Sequence, residues 1–220
     1  GVSQPNLNVK IIVTHAGLIT GQDGVSAQSI EDIAIMNALP NFNIIVPTDS
    51  IETKAAIKYA INANGPFYIR LSRPPTPIIH QNENFKFSKA ELIRNGTDVT
   101  IVACGIMVIA ALYAAKNLEK EGISCRILNI STIKPFDTNS ILKAAKETKA
   151  IVTAEEHFIN GGLSSIVAQA LSENLPTPLE SIAIYQYAES GSPEELLKKY
   201  HLTDSDIENA VKKVISRKIK

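Results

Sequence analysis

Short apolar runs alternate along this chain with longer stretches whose apolar positions recur at helical spacing. Residues 8–14, NVKIIVT, form one such run, rich in β-branched side chains. Residues 28–39, QSIEDIAIMNAL, read as a helix, with Ser29 as N-cap and Asp32 at the third helical position. Residues 43–48 make the next strand, 51–64 an amphipathic helix, and 66–72, PFYIRLS, a third strand. Apolar strands joined by helices predict a parallel sheet covered on both faces.

Residues 73–97 break this rhythm, with three prolines between 73 and 77 and then a polar stretch without helical period. They read as a linker, part of which pairs as edge strands. A second cycle follows, with strands at 98–104, 124–130, 149–156 and 179–185 and helices at 107–122, 137–148 and 161–174. Two helices close the chain, at 192–200 and 203–219, capped by Ser192 and by Thr203 or Asp204. The fold class is therefore α/β, with two α/β units and mostly parallel sheets. We expect a first unit at 1–74, a linker at 75–97 and a second unit at 98–220. The first unit has few strands for a self-sufficient domain, which predicts that about half a domain precedes Gly1 or comes from another chain.

Composition narrows the partners. The 220 residues are 45% hydrophobic, and 22 basic side chains balance 22 acidic ones. A neutral chain has no overall field to draw in nucleic acid or an anionic membrane, so a small molecule or another protein is the expected partner. No apolar stretch reaches the length of a membrane span, and the N-terminus lacks a signal-peptide pattern, which predicts a soluble cytoplasmic protein. Cys104 and Cys125 lie in strand-like runs without CxxC spacing, so two reduced, buried thiols are expected rather than a disulfide or metal pair.

The chemistry concentrates in residues 14–26, THAGLITGQDGVS, at the exit of the first strand. In open α/β sheets ligands bind outside the carboxyl ends of the strands, where His15 stands. Gly17, Gly21 and Gly24 allow positive φ or close approach to a ligand. His15 can donate, accept or shuttle a proton, and Asp23 can accept one, a pair suited to a polyol or keto-sugar. The competing reading is a satisfied turn residue beside a common Asp-Gly turn. Arg73 stands at the mouth of the third strand, where it either forks onto a phosphate or fixes the linker by an ion pair. Arg70, inside that strand, reads as structural. His157 with Gly161 and Gly162 reads as strand-to-helix turn chemistry rather than an anion site, and His80 and His201 are assigned no role.

Residues 8–49, NVKIIVTHAGLITGQDGVSAQSIEDIAIMNALPNFNIIVPTD, with GPFYIRLSRP after them, resemble the second half of the transketolase pyrimidine-binding domain. ILNISTIKPFD, VTAEEHFINGGLSSIVAQAL and YAESGSPEELLKKYHLTDSDI resemble the transketolase C-terminal domain. The resemblance covers essentially the whole chain and is nearest in style to the C-terminal subunit of split transketolases. It implies an incomplete thiamine-diphosphate-binding fold followed by a transketolase C-terminal domain. It also implies that His15 contacts substrate hydroxyls or the phosphate end, that Asp23 recognises a hydroxyl beside the reacting carbonyl, and that Arg73 binds the sugar phosphate. His15 and Asp23 are then the candidate catalytic residues, with no cofactor or metal ligand in this chain.

The implied activity is transfer of a two-carbon ketol unit from a ketose phosphate to an aldose phosphate. Thiamine diphosphate and its divalent metal, Mg²⁺, would be bound mainly by residues outside this chain, because the family's activating glutamate and diphosphate motif belong to other segments. An N-terminal diphosphate-binding subunit or domain and a homo- or hetero-oligomer are the implied partners. Two positions depart from the family pattern. Gln22 stands where a glutamate is common, and Ser26-Ala27-Gln28 replaces a triplet with a central histidine. Ala27 cannot move a proton, so another group takes that work or the activity is altered. A decarboxylating condensation like that of deoxyxylulose-phosphate synthase, or a non-catalytic assembly module, are the alternatives.

Overall fold

The computed structural model describes residues 1–218. Two sheets carry the fold. The first contains β1 (Lys10–Val13), β2 (Asn43–Ile45), β3 (Phe67–Arg70) and β7 (Thr132–Lys134), in the order β1-β3-β2-β7. The second contains β4 (Glu91–Arg94), β5 (Val99–Ala103), β6 (Cys125–Asn129), β8 (Ile151–Phe158) and β9 (Leu179–Ile184), in the order β4-β6-β5-β8-β9. All pairings are parallel except the two at one edge of each sheet, β7 on β2 and β4 on β6.

The helices are α1 (Asp32–Asn37), α2 (Ser50–Asn62), α3 (Met107–Lys120), α4 (Thr138–Thr148), α5 (Leu163–Asn174), α6 (Pro193–Lys199) and α7 (Asp204–Ser216). Strand alternation sorts the core of the second sheet. Val99, Ile101 and Ala103 face Leu118 of α3 and Val211 of α7. Val102 faces the other way, into a cluster with Ile141 of α4 and Val167 of α5. That cluster also takes Ile44 and Tyr68 from the first sheet, so both sheets share one body of buried apolar side chains. Cys104 and Cys125 are buried and unbonded. Among the described residues no helix is long and apolar enough to cross a membrane.

Several expectations change. The helix expected at 28–39 begins only at Asp32, and Ser29 caps nothing. Instead Ser29 bridges to Ala16, and its carbonyl accepts hydrogen bonds from Gly17 and Arg70, which takes its backbone out of helical geometry. Residues 132–134 cross to the first sheet as β7, a strand the periodicity did not indicate because it spans only three residues. Within the stretch expected as linker, 91–94 form the edge strand β4. Asp137 caps α4, and Ser192 and Thr203 close capping boxes on α6 and α7. Residue 219, the end of the helix expected at 203–219, lies outside the described residues.

Candidate functional site

β1 and β3 lie side by side with Val13 opposite Arg70, so both strands end at one sheet edge. The chain leaves that edge twice, at His15 and at Arg73. Two backbone hydrogen bonds tie the exits together, from Leu71 N–H to the Val13 carbonyl (2.8 Å) and from Ala16 N–H to the Leu71 carbonyl (3.1 Å). His15 has φ 68°, a left-handed backbone that costs a non-glycine residue about 1 kcal/mol or more. Its carbonyl accepts from Ser29 N–H at 3.1 Å, which helps hold that geometry.

The 3₁₀ segment Leu18–Asp23, kinked at Gly21, returns Asp23 to the same mouth. His15 Nε2 lies 3.8 Å and Arg73 Nη1 3.0 Å from the same oxygen, Asp23 Oδ2. Arg73 Nη1 also donates to the Thr20 carbonyl at 3.0 Å, and Thr14 Oγ1 lies 2.8 Å from His15 Nδ1. The three side chains are each about two-fifths exposed. Exposed ion pairs contribute about 1 kcal/mol at most, so a better-matched anion can displace Asp23 from Arg73. The structure thus brings together all three residues singled out from the sequence.

Behind the mouth lies a buried polar layer that the sequence did not reveal as part of the site. Arg70, read as structural, is buried, with Nε 2.8 Å from Asp32 Oδ2 and Nη2 donating to the Ser29 and Glu156 carbonyls. Burial works against the Asp32 carboxylate, but Arg70 and the Tyr68 hydroxyl (2.7 Å) outweigh it and hold its pKa below the usual range. Glu156 Oε1 accepts from Ile19 N–H at 2.7 Å, within the site loop. Burial pushes Glu156 up to about 7, against the pull of Arg70. Gly17 allows this approach, since its φ is 74° and an added Cβ would lie 2.0 Å from Glu156 Cδ.

Glu155 receives Leu163 N–H (2.6 Å) and Ser164 N–H (2.7 Å) at the start of α5, and burial pushes it up to about 8. His157 is fully buried; burial lowers it to about 4, so the ring is neutral. Its Nδ1 donates to the Phe158 carbonyl (2.8 Å) and its Nε2 accepts from Ala34 N–H (3.3 Å). It braces the turn after β8 against α1. The signal that could have exposed this layer is the run of two acids and a histidine at the end of an otherwise apolar strand.

Residues 1–77 match the transketolase pyrimidine-binding domain, and residues 88–207 the transketolase C-terminal domain. The chain belongs to the transketolase family. It is 40% identical over 219 residues to a 6-deoxy-6-sulfo-D-fructose transketolase subunit of Clostridium sp. (strain MSTE9), covering 99% of this chain and 68% of that protein. A putative transketolase C-terminal section from Methanocaldococcus jannaschii is 43% identical over 211 residues, 94% of this chain and 66% of that one. A split-gene transketolase solved as an inactive beta4 tetramer superposes with a TM-score of 0.94 at 42% identity, covering 99% of this chain and 70% of its own. The chain therefore spans about two thirds of these relatives.

The family's cofactor is thiamine diphosphate. The residues gathered at this mouth do not fit it: Mg²⁺ and a diphosphate need several oxygen ligands, and Asp23, the single carboxylate of the three, is engaged by Arg73. They fit substrate hydroxyls and an anionic end group. At the positions that depart from the family pattern, Gln22 is exposed and Ala27 half-buried, while Gln28 is buried and donates to the Glu189 carbonyl at 3.1 Å. None of these places a second proton carrier beside His15.

Proposed function

We propose that this chain is the C-terminal part or subunit of a thiamine-diphosphate-dependent transketolase, moving a two-carbon ketol unit from a ketose phosphate to an aldose phosphate. Residues 1–74 serve as part of the pyrimidine-binding domain and 98–220 as the C-terminal domain, joined by 75–97. The observation that carries this reading is the meeting of His15, Asp23 and Arg73 around one carboxylate oxygen at the ends of parallel strands. An N-terminal diphosphate-binding partner supplies thiamine diphosphate and Mg²⁺, and the relatives named as subunits or sections support such a division. When bound, the cofactor supplies a carbanion that the protein itself lacks.

This chain's residues bind and orient the sugar. Arg73 leaves Asp23 for the phosphate, which it meets with a forked pair of N–H donors. Asp23, freed of its partner, accepts a hydrogen bond from a sugar hydroxyl. His15 donates to or accepts from a neighbouring hydroxyl.

The deciding experiment assays two-carbon transfer between sugar phosphates by this chain alone, by an N-terminal diphosphate-binding partner alone, and by the two together. Transfer by the mixture alone is the expected outcome. No transfer in the mixture refutes the reading, and consumption of pyruvate with glyceraldehyde phosphate would move it to a decarboxylating condensation. Undiminished transfer in a mixture carrying both His15→Ala and Asp23→Ala would make the chain an assembly module, the reading that Ala27 favours.

A further inference from the structure

His80, given no role from the sequence, sits among carboxylates from two other segments. Asp49, the N-cap of α2, has a fully buried side chain whose Oδ2 accepts from the backbone N–H groups of Ile79 (2.8 Å) and His80 (2.9 Å) and from His80 Nδ1 (2.8 Å). These contacts fix the ring and turn Nε2 outward. There it meets Glu91 Oε2 of β4 at 2.9 Å. Glu52, on the first turn of α2, is held from behind: Oε2 accepts from Thr48 N–H (2.7 Å) and Oε1 from Asn129 Nδ2–H (2.9 Å). One ligand atom from each of Glu52, His80 and Glu91 lies within 4.8 Å of the other two.

We propose that Glu52, His80 and Glu91 form a site for a borderline-soft divalent cation of the Zn²⁺ class, with Asp49 orienting the histidine from the second layer. Three features support it. Nitrogen and carboxylate oxygen together are donors that such ions accept, at about 2.0–2.2 Å in tetrahedral geometry, which sets ligand atoms about 3.3 Å apart. His80 and Glu91 are already near that spacing, and Glu91, two-fifths exposed, is free to adjust. A ligating imidazole that gives its other N–H to a carboxylate is the usual arrangement around bound metal, and Asp49 supplies that carboxylate.

Glu52 and Glu91 also line a cleft of about 140 Å³, room for an ion and a water ligand in the fourth position. Lys86 and Lys89 line the same cleft, so its two carboxylates, Glu52 and Glu91, already face two lysines before an ion enters. The ligands come from α2, the connecting segment and β4, so the ion would fasten the connection to both sheets.

The test is titration of the full chain, freed of metal with EDTA and held near pH 8, with Co²⁺ as the visible stand-in for Zn²⁺. The expected result is one more equivalent of Co²⁺ bound by the native protein than by Glu91→Gln, with d–d absorption of a nitrogen–oxygen site. Zn²⁺ should raise the Tm of the native protein but not of the variant, whose affinity falls by about tenfold or more. Glutamine keeps an acceptor for His80 at an exposed position, and melting without metal checks that the variant is folded. Equal uptake by both proteins, or uptake by neither, overturns the site. So does a Co²⁺ band that survives in His80→Gln, since one of the other three histidines must then be its source.

Discussion

At the scale of single residues, the exposed trio and its buried support respond differently to substitution. Asp23→Asn keeps the shape of the side chain and removes a charge that is two-fifths exposed, so denaturant melts should shift by no more than about 1 kcal/mol. On the proposed function, the same change weakens the acceptor for a sugar hydroxyl, which predicts a rise in KM of about tenfold or more for the sugar phosphate in the mixture with the N-terminal partner. Arg73→Ala is expected to act in the same way, with the larger loss on phosphorylated over unphosphorylated acceptors. Gly17→Ala should reverse the pattern. Its positive φ and the 2.0 Å approach to Glu156 Cδ make the variant less stable by about 2 kcal/mol or more, read by urea unfolding.

At the scale of elements, α6 supports the site loop while α7 does not. An added Cβ on Gly21 would lie 3.2 Å from Pro193 Cδ, at the first turn of α6, so that turn backs the 3₁₀ segment bearing Asp23. α7 packs on α3 and the second sheet instead, with Val211 and Val214 in that core. Ser192 and Thr203 close equivalent capping boxes, and replacing either by alanine is expected to cost about 1 kcal/mol. KM for the sugar substrate should rise with Ser192→Ala and stay constant with Thr203→Ala. Equal KM in both variants would mean that α6 does not hold the loop.

Across the whole molecule, the second α/β unit supplies the floor on which the first unit's loop rests. Glu156 on β8 binds Ile19 N–H, and Arg70 on β3 binds the Glu156 carbonyl, so the two sheets are joined beneath the mouth. This junction predicts a pH dependence. Glu156 has a folded-state pKa of about 7, above its unfolded value near 4.5. The folded state therefore holds a proton that the unfolded chain has released, and this contribution to stability is complete below about pH 4.5 and lost as pH rises through 7. Urea unfolding at about pH 5 and pH 8 should show that the native protein loses more stability over this interval than Glu156→Gln does. His157 has the opposite sign. Lowered to about 4, it contributes stability above its unfolded pKa of 6.5 that is lost as pH falls through 4.

The sequence by itself determined the order of the helices and of the strands other than β4 and β7, the parallel character of the sheets, the cap at Ser192, and the placing of His15 and Arg73 at strand exits. These follow from local rules: period, β-branching, capping chemistry and chain direction. Even Asp23 was legible, because its loop begins at a strand end. Tertiary structure alone decided that β1 and β3 would be neighbours, and so that Arg73 and His15 would meet at Asp23. It alone decided that Ser29 would bridge to Ala16 rather than cap a helix, that residues 132–134 would cross to the first sheet, and that His80 would be enclosed by Asp49 and Glu91. Each of these depends on which distant strand edge or buried charge a residue meets. A buried carboxylate or imidazole takes its partner from whatever the packed sheets bring within hydrogen-bond reach, and local spacing carries no record of that choice.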